Sequence, residues 1–284
     1  MKGASITRSQ LEEIRNHPNT EGRTQALAVR VQGITKRYQS DSGAVHALGP
    51  IDMSVEQGRF VSIVGPSGCG KSTLLNIIAG FVFPTDGDVY VLDALTRGID
   101  TNCRIGYVPQ DNRLFPWLRT AANIEFPLKA QGWPKARRRQ RVDELLALVG
   151  VTQAANQFIY QLSGGMRKRV AIAQALSYDP VLLLMDEPFG SLDSQTRMLM
   201  HEELLRIWQE TQKTVIFVTH DMVEAIALSD RVFVMSRAPG TLKAEIAVEM
   251  TRPRDIFYIH GQTGFDSTYE KLWPLLHDEL VRNA

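Results

Sequence analysis

Gly65-Pro66-Ser67-Gly68-Cys69-Gly70-Lys71-Ser72 spells G-x-x-x-x-G-K-S, and its flanks decide how it is read. Ahead of it, Phe60-Val61-Ser62-Ile63-Val64 is an apolar, β-branched run suited to a buried strand. Behind it, Thr73-Leu74-Leu75-Asn76-Ile77-Ile78-Ala79 carries apolar residues at helical spacing and stops at Gly80. Strand, glycine loop and helix follow in the order that builds a phosphate site. Gly65, Gly68 and Gly70 permit positive φ and carry no Cβ, so successive N–H groups can turn inward on phosphate oxygens at a helix N-terminus. Lys71 adds a full positive charge for the β and γ phosphates, and the Ser72 hydroxyl is placed to coordinate Mg²⁺. Pro66, Ser67, Cys69 and Thr73 complete the nucleotide-binding loop. An ordinary glycine-rich turn is the competing reading; the strand before and the helix after argue against it.

The chain of 284 residues can form one large or two small cores, and 44% hydrophobic with 22% charged residues is the balance of an ordinary globular protein. A net charge of +1 gives no basic field of the kind nucleic acid selects, so no nucleic-acid partner is expected. Cys69 and Cys103 are too few for a disulfide framework or a cysteine-ligated metal, and a reduced compartment is the simpler expectation. Met1 to Arg30 is polar, without the apolar core of a secretory signal. The longest strongly apolar run, Val181 to Met185, falls far short of the roughly 20 residues a spanning helix needs. Any membrane spans must come from a partner.

Residues 1–27 read as an N-terminal extension, either a short helix from the capping box Ser9-Gln10-Leu11-Glu12 to Asn16 or a mobile tail. Strand patterns follow from Leu27 to Tyr38, with a loop around Gln39 to Gly43, and then at Ala47 to Val55, Asp88 to Leu92 and Ile105 to Val108. After Gln110 the character changes. Leu114-Phe115-Pro116-Trp117 is a loop with exposed-looking apolar side chains, a helix begins near Thr120, and Pro134 opens another in which Val142, Leu145, Leu146 and Val149 share a face. Lys135, Arg137, Arg138, Arg139 and Arg141 at its start read as a solvated face, with a nucleic-acid patch as the less favoured alternative. Residues 111 to about 178 form a helical insertion. Val181 to Met185 and Val215 to Val218 are unbroken apolar runs, as in parallel strands covered on both faces, with a helix from Ser194 to Thr211 between them. Arg231 to Met235 and Leu242 to Val248 flank the turn Ala238-Pro239-Gly240 as a hairpin. Residues 251–284 read as a helical tail, with a helix from about Ser267 interrupted near Pro274.

The apolar strand that ends in Asp186-Glu187 places a carboxylate where a metal beside the phosphate loop is held, and a second one where water near a γ-phosphate can be polarised. Leu162-Ser163-Gly164-Gly165-Met166, followed by Arg167-Lys168-Arg169-Val170-Ala171, is another glycine-rich helix start and a second phosphate-binding surface. This run closely resembles the signature motif of ATP-binding-cassette (ABC) ATPases and precedes the Asp186 strand at the spacing of that family. The resemblance covers about residues 28 to 250 and implies an α/β fold: a P-loop NTPase core with an antiparallel β subdomain and an inserted α-helical subdomain.

It also implies roles residue by residue. Tyr38 resembles the aromatic that stacks on adenine, although a strand-end tyrosine would look the same. Gln110, after Tyr107-Val108-Pro109, resembles the glutamine that contacts Mg²⁺ and water and senses the membrane partner. Ser191-Leu192-Asp193 resembles the loop that crosses the dimer interface, and His220 the switch histidine at the γ-phosphate. Asp186 and Ser72 would hold Mg²⁺ and Glu187 would be the catalytic base. ATP would lie between the phosphate loop of one copy and Ser163, Gly164 and Gly165 of a second.

The family implies a homodimer around two ATP molecules on the cytoplasmic face of the inner or plasma membrane. Its partners would be integral permease subunits and, through them, a substrate-binding protein. Met166 stands where the commonest family pattern has glutamine, as in the branch resembling nitrate, sulfonate and taurine importers; the Leu114 to Trp117 loop and the Ser236 to Gly240 turn look similar to that branch. A soluble ABC ATPase acting on nucleic acid or a protein assembly, the ATPase of an exporter, and a nucleotide or metabolite kinase remain alternatives.

Overall fold

The computed structural model describes residues 26–40, 43–96, 105–111 and 113–281. The expected helix near the N-terminus and Cys103 lie outside these residues. Among the described residues are ten strands: β1 (Leu27–Ser40), β2 (Gly43–Glu56), β3 (Phe60–Val64), β4 (Asp86–Val91), β5 (Ala94–Leu95), β6 (Ile105–Val108), β7 (Leu182–Asp186), β8 (Thr214–Thr219), β9 (Arg231–Met235) and β10 (Leu242–Ala247). The α-helices are α1 (Lys71–Ile78), α2 (Thr120–Ala130), α3 (Lys135–Leu148), α4 (Gly164–Leu176), α5 (Ser194–Thr211), α6 (Met222–Leu228) and α7 (Phe265–Val281).

The strands form two sheets. One is antiparallel, in the order β2-β1-β4-β5; the other runs β10-β9-β3-β8-β7-β6 and is parallel except where β9 meets β10. Sequence pattern explains the division. β3, β7 and β8 are buried at every position because both faces of their sheet are covered, whereas the second half of β2 alternates, with Ile51, Met53 and Val55 buried. Val61, Ile63, Leu182, Leu184, Ile216 and Val218 face a core shared with α1 and the antiparallel sheet. Their neighbours Phe60, Val64, Leu183, Met185, Val215 and Phe217 face a second core with α4, α5, α6 and α7. The phosphate-loop strand therefore lies at the centre of the molecule, its loop held from both sides.

Two expectations change. The loop expected from Gln39 to Gly43 is shorter, because β1 runs to Ser40 and β2 starts at Gly43, pairing as one hairpin. The last helix continues through Pro274. A proline removes one donor from the helical ladder, yet Leu272 and Leu276 on either side are buried, and that burial holds the helix across the missing bond. Pro127 inside α2 shows how such a loss is compensated: the carbonyl of Asn123, four residues earlier, accepts Nε2–H of Gln174 at 3.0 Å.

Candidate functional site

The phosphate loop leaves β3 and enters α1. Gly68 (φ 76°) and Gly70 (φ 100°) occupy the left-handed region, so the loop needs glycine there. A side chain at Gly70 would also meet the Ala47 carbonyl at 2.9 Å. Gly65 differs from the expectation of positive φ: it is glycine because an added Cβ would lie 2.9 Å from the Met235 carbonyl and 3.0 Å from Cys69 Sγ. Gly240, in the turn between β9 and β10, donates to the Ala47 carbonyl, and a Cβ on it would sit 1.9 Å from the Cys69 carbonyl. Burial pushes the Cys69 thiol up, which keeps it in the unreactive protonated form.

Five of the expected residues converge on this loop. Lys71 is buried, and its ammonium donates to the carbonyls of Gly65 (2.9 Å) and Pro66 (3.0 Å), two of the three bonds it can make. Ser72 Oγ donates to Asp186 Oδ1 at 2.9 Å, which joins α1 to the end of β7. Burial raises the Asp186 carboxyl above the usual carboxylate range, against the Ser72 hydrogen bond, and the neighbouring Glu187 charge adds to the rise. Tyr107, on β6, reaches in from the other side, donating to Asn76 Oδ1 at 3.1 Å.

Glu187 follows in a left-handed conformation (φ 41°) that is uncommon for a side-chain-bearing residue, and its N–H donates to the Val218 carbonyl at 2.9 Å. That turn aims its carboxylate at His220: Oε2 lies 3.0 Å from Nδ1, while Oε1 lies 3.9 Å from Lys71 Nζ. Lys71, Ser72, Asp186, Glu187 and His220 thus form one cluster at the C-terminal ends of parallel strands, where open α/β sheets place their ligands.

The remaining expected residues lie elsewhere. Ser163 caps α4, its Oγ accepting the Met166 N–H at 3.2 Å; Asp193 caps α5, its Oδ1 accepting the Thr196 N–H at 3.0 Å. That hydrogen bond holds the Asp193 carboxyl below the usual range. The signature glycines rest on this same segment, since a Cβ on Gly164 would touch Leu192 and one on Gly165 would touch Thr196. Tyr38 stands on the β1–β2 hairpin, 40% exposed, with Lys36 Nζ 5.0 Å from its ring centre. Gln110 is exposed, and its backbone carbonyl accepts from Lys168 Nζ at 2.8 Å.

Sequence reading passed over several supporting residues. Lys168 appeared only in the stretch that follows the Ser163 to Met166 motif, yet it is buried, its pKa lowered by that burial, and it ties Gln110 to α4. Asn123 is buried and clamps the following loop: its amide accepts from the Phe115 N–H and donates to the Phe115 and Leu118 carbonyls. Leu114 in that loop is core, whereas Phe115 packs between Phe126 and a Trp117 that is 70% exposed. The C-terminal helix also borders the site. Gly65, Pro66, Ser67 and His220 share a cavity of about 500 Å³ with Tyr269 and Trp273 of α7. Glu279 of that helix accepts from the Arg237 N–H at 3.0 Å and from Lys243 Nζ at 3.1 Å. The tail packs on its own cassette.

A family model described as ABC transporter matches residues 48–190, from the second strand through the phosphate loop, the signature segment and Glu187. The chain belongs to this family. Like its members it is an ATPase built on the ATP-binding cassette. The chain is 36% identical over 252 residues to a taurine import ATP-binding protein of Ruegeria pomeroyi, covering 87% of this chain and 93% of the relative. A nitrate import ATP-binding protein of Synechocystis is 41% identical over 224 residues, covering 79% and 84%. Among solved structures, a dimeric ATP-binding cassette in a post-hydrolysis state, bound to ADP and Pi, is 35% identical with a TM-score of 0.69, covering 78% of this chain and 100% of that one. Among the described residues of this ABC ATPase no helix is long and apolar enough to cross a membrane.

Proposed function

We propose that this chain is the ATP-hydrolysing subunit of an importer for a small anion or organic solute such as nitrate, sulfonate or taurine. It would work as a homodimer around two ATP molecules at the cytoplasmic face of the membrane, held there by permease subunits and fed by a substrate-binding protein. The catalytic half of the reading is carried by one observation: Glu187, His220 and Lys71 face one another across the phosphate loop. The transport half draws on the relatives, which are named for taurine and nitrate import.

Lys71 and the loop amides of Ser67 to Thr73 neutralise and orient the phosphates, with Gly65, Gly68 and Gly70 letting the backbone approach. Ser72, Asp186 and Gln110 offer the hard oxygen donors that suit Mg²⁺, and the described residues contain no group of three His, Cys, Asp or Glu able to hold a metal by itself. A cation here would complete its shell with phosphate and water oxygens. Mg²⁺ supplies Lewis-acid withdrawal of phosphate charge when bound. Glu187 orients the attacking water, and His220 keeps the Glu187 carboxylate in place while it meets the γ-phosphate. Tyr38 stacks on adenine. Ser163, Gly164 and Gly165 present a capped helix start to the nucleotide of the second copy, with Asp193 beside them at the interface. Phe115 and Trp117, braced by Asn123 near Gln110, form the groove for a permease helix.

The test is reconstitution. The chain, co-expressed with its cognate permease subunits and placed in vesicles, is expected to drive ATP-dependent uptake of labelled nitrate, sulfonate or taurine with wild-type but not Glu187→Gln protein. Hydrolysis without uptake of any of the three would reject the substrate class.

A further inference from the structure

Behind His220 lies a buried polar cluster that the chemistry above does not use. His201, on α5, and Glu224, on α6, are both buried, with His201 Nε2 2.6 Å from Glu224 Oε1. The other carboxylate oxygen, Oε2, accepts the hydroxyl proton of Thr219, the buried last residue of β8. That hydroxyl also accepts the backbone N–H of Asp221 at 3.0 Å, so one side chain is bonded across the turn that carries His220. Asp221 continues the chain of bonds: its Oδ1 accepts the N–H groups of Val223 (2.8 Å) and Glu224 (3.2 Å) at the start of α6. On the far side, the His201 ring meets Phe189, two residues beyond Glu187, with centroids 5.5 Å apart.

Buried ionisable pairs are a poor source of stability, since apolar residues of the same volume often do as well or better. A role in geometry accounts for this one. His220 itself is 57% exposed in its side chain, so packing does little to hold it; its place relative to Glu187 depends on the backbone of the turn. Thr219 fixes that turn, Glu224 fixes Thr219, and His201 anchors Glu224 to the helix that begins at Asp193.

We propose that Thr219, Glu224 and His201 are positioning residues that hold the His220 turn in register with Glu187 and tie it to α5. This rests on the reading of His220 as a γ-phosphate contact, and His220→Ala is the control for that reading.

The experiment measures steady-state ATP hydrolysis and, separately, binding of a fluorescent ATP analogue by the full chain. Thr219→Val keeps shape and removes the hydroxyl. It is expected to lower kcat about tenfold while KM and analogue affinity stay within about twofold and the analogue still fills as many sites per chain as in wild type, a stoichiometry that partial unfolding would lower. Thr219→Ser, which returns the hydroxyl, is expected to recover kcat to within about twofold of wild type. Adding His201→Leu to Thr219→Val is expected to cost less than the product of the two single effects, because both act through Glu224. Should Thr219→Val fail to fold, Glu224→Gln, which keeps volume, carries the same expectation and the same overturning result. Wild-type kcat in the hydroxyl-free variant, or equal impairment of the valine and serine variants, overturns the proposal. A fully active His220→Ala would instead sink the reading of His220; an inactive His220→Ala beside a fully active Thr219→Val sinks only the positioning role.

Discussion

Glu187 Oε2 and His220 Nδ1 are 3.0 Å apart, although one residue follows β7 and the other follows β8. Both strand ends are fixed by the ladder between them, in which Asp186 stands opposite Val218. Glu187→Gln keeps a hydrogen-bond acceptor for His220 and removes the carboxylate proposed as the base. It is expected to slow ATP hydrolysis by about a hundredfold or more while leaving ATP affinity near wild type. With hydrolysis blocked, ATP and Mg²⁺ should trap a two-chain species visible by light scattering. Adding Ser163→Arg should abolish that species. Wild-type hydrolysis by Glu187→Gln would remove Glu187 from the role of base.

Asp186 gives a pH-dependent prediction with a definite sign. Its folded-state pKa is raised by burial, so its contribution to stability is fully present below the unfolded carboxylate pKa and is lost as pH rises through the folded value. Above that window the folded protein carries a buried charge that Asp186→Asn removes. The nucleotide-free variant is expected to unfold about 2–4 °C higher than wild type at pH 8, as about 1 kcal/mol does in a chain of this size. That gain should disappear toward about pH 4, where the wild-type carboxyl is protonated too. Thermal denaturation across pH checks it; a gain that grew toward acid would refute the assignment. ATP hydrolysis by the same variant should fall by about a hundredfold.

Gly240→Ala tests the support behind the phosphate loop. A Cβ there would lie 1.9 Å from the Cys69 carbonyl, and backbone cannot yield as a side-chain tip does. The substitution is expected to destabilise by about 2–3 kcal/mol in urea unfolding, in the range for strain in a packed site. A measurable loss of ATP affinity should accompany it. An unchanged midpoint would mean that the turn can move away from the loop at little cost.

Trp117→Ala probes the proposed permease surface. Trp117 leans on Phe115 with most of its area exposed, the form of an anchor residue at a protein interface. It should weaken capture of the permease by the tagged chain about tenfold or more, as removal of a buried anchor does. Capture at wild-type strength would leave Trp117 outside the interface.

Much of this was legible in the chain because it depends on local chemistry. The unbroken run Val215 to Val218 read as a doubly covered strand and Ser194 to Thr211 as a helix, and both form as read. What escaped reading depends on residues far apart. Nothing near Pro274 reveals that Leu272 and Leu276 will be buried and carry the helix through it. Gly65 looks like its two loop companions, yet its constraint comes from Met235, on another strand. His201 and Glu224 carry no local signal, and only the packing of α5 on α6 makes them a pair. The motif pattern ended at His220, one residue past the threonine that holds it.

The place of β3 has a consequence for how the protein is made. Its neighbours on either side are β8 and β9, so the strand that carries the phosphate loop has no partner in its sheet until Thr214 and then Arg231 have been synthesised. Long-range pairings of this kind form late and slowly. The nascent chain therefore carries Phe60 to Val64 without strand partners until then, with only the Val61 and Ile63 face able to pack early on α1 and the antiparallel sheet; an unpaired apolar strand of this kind can aggregate or recruit chaperones. The phosphate loop is framed by both of its neighbouring strands only after Arg231 to Met235 has been made.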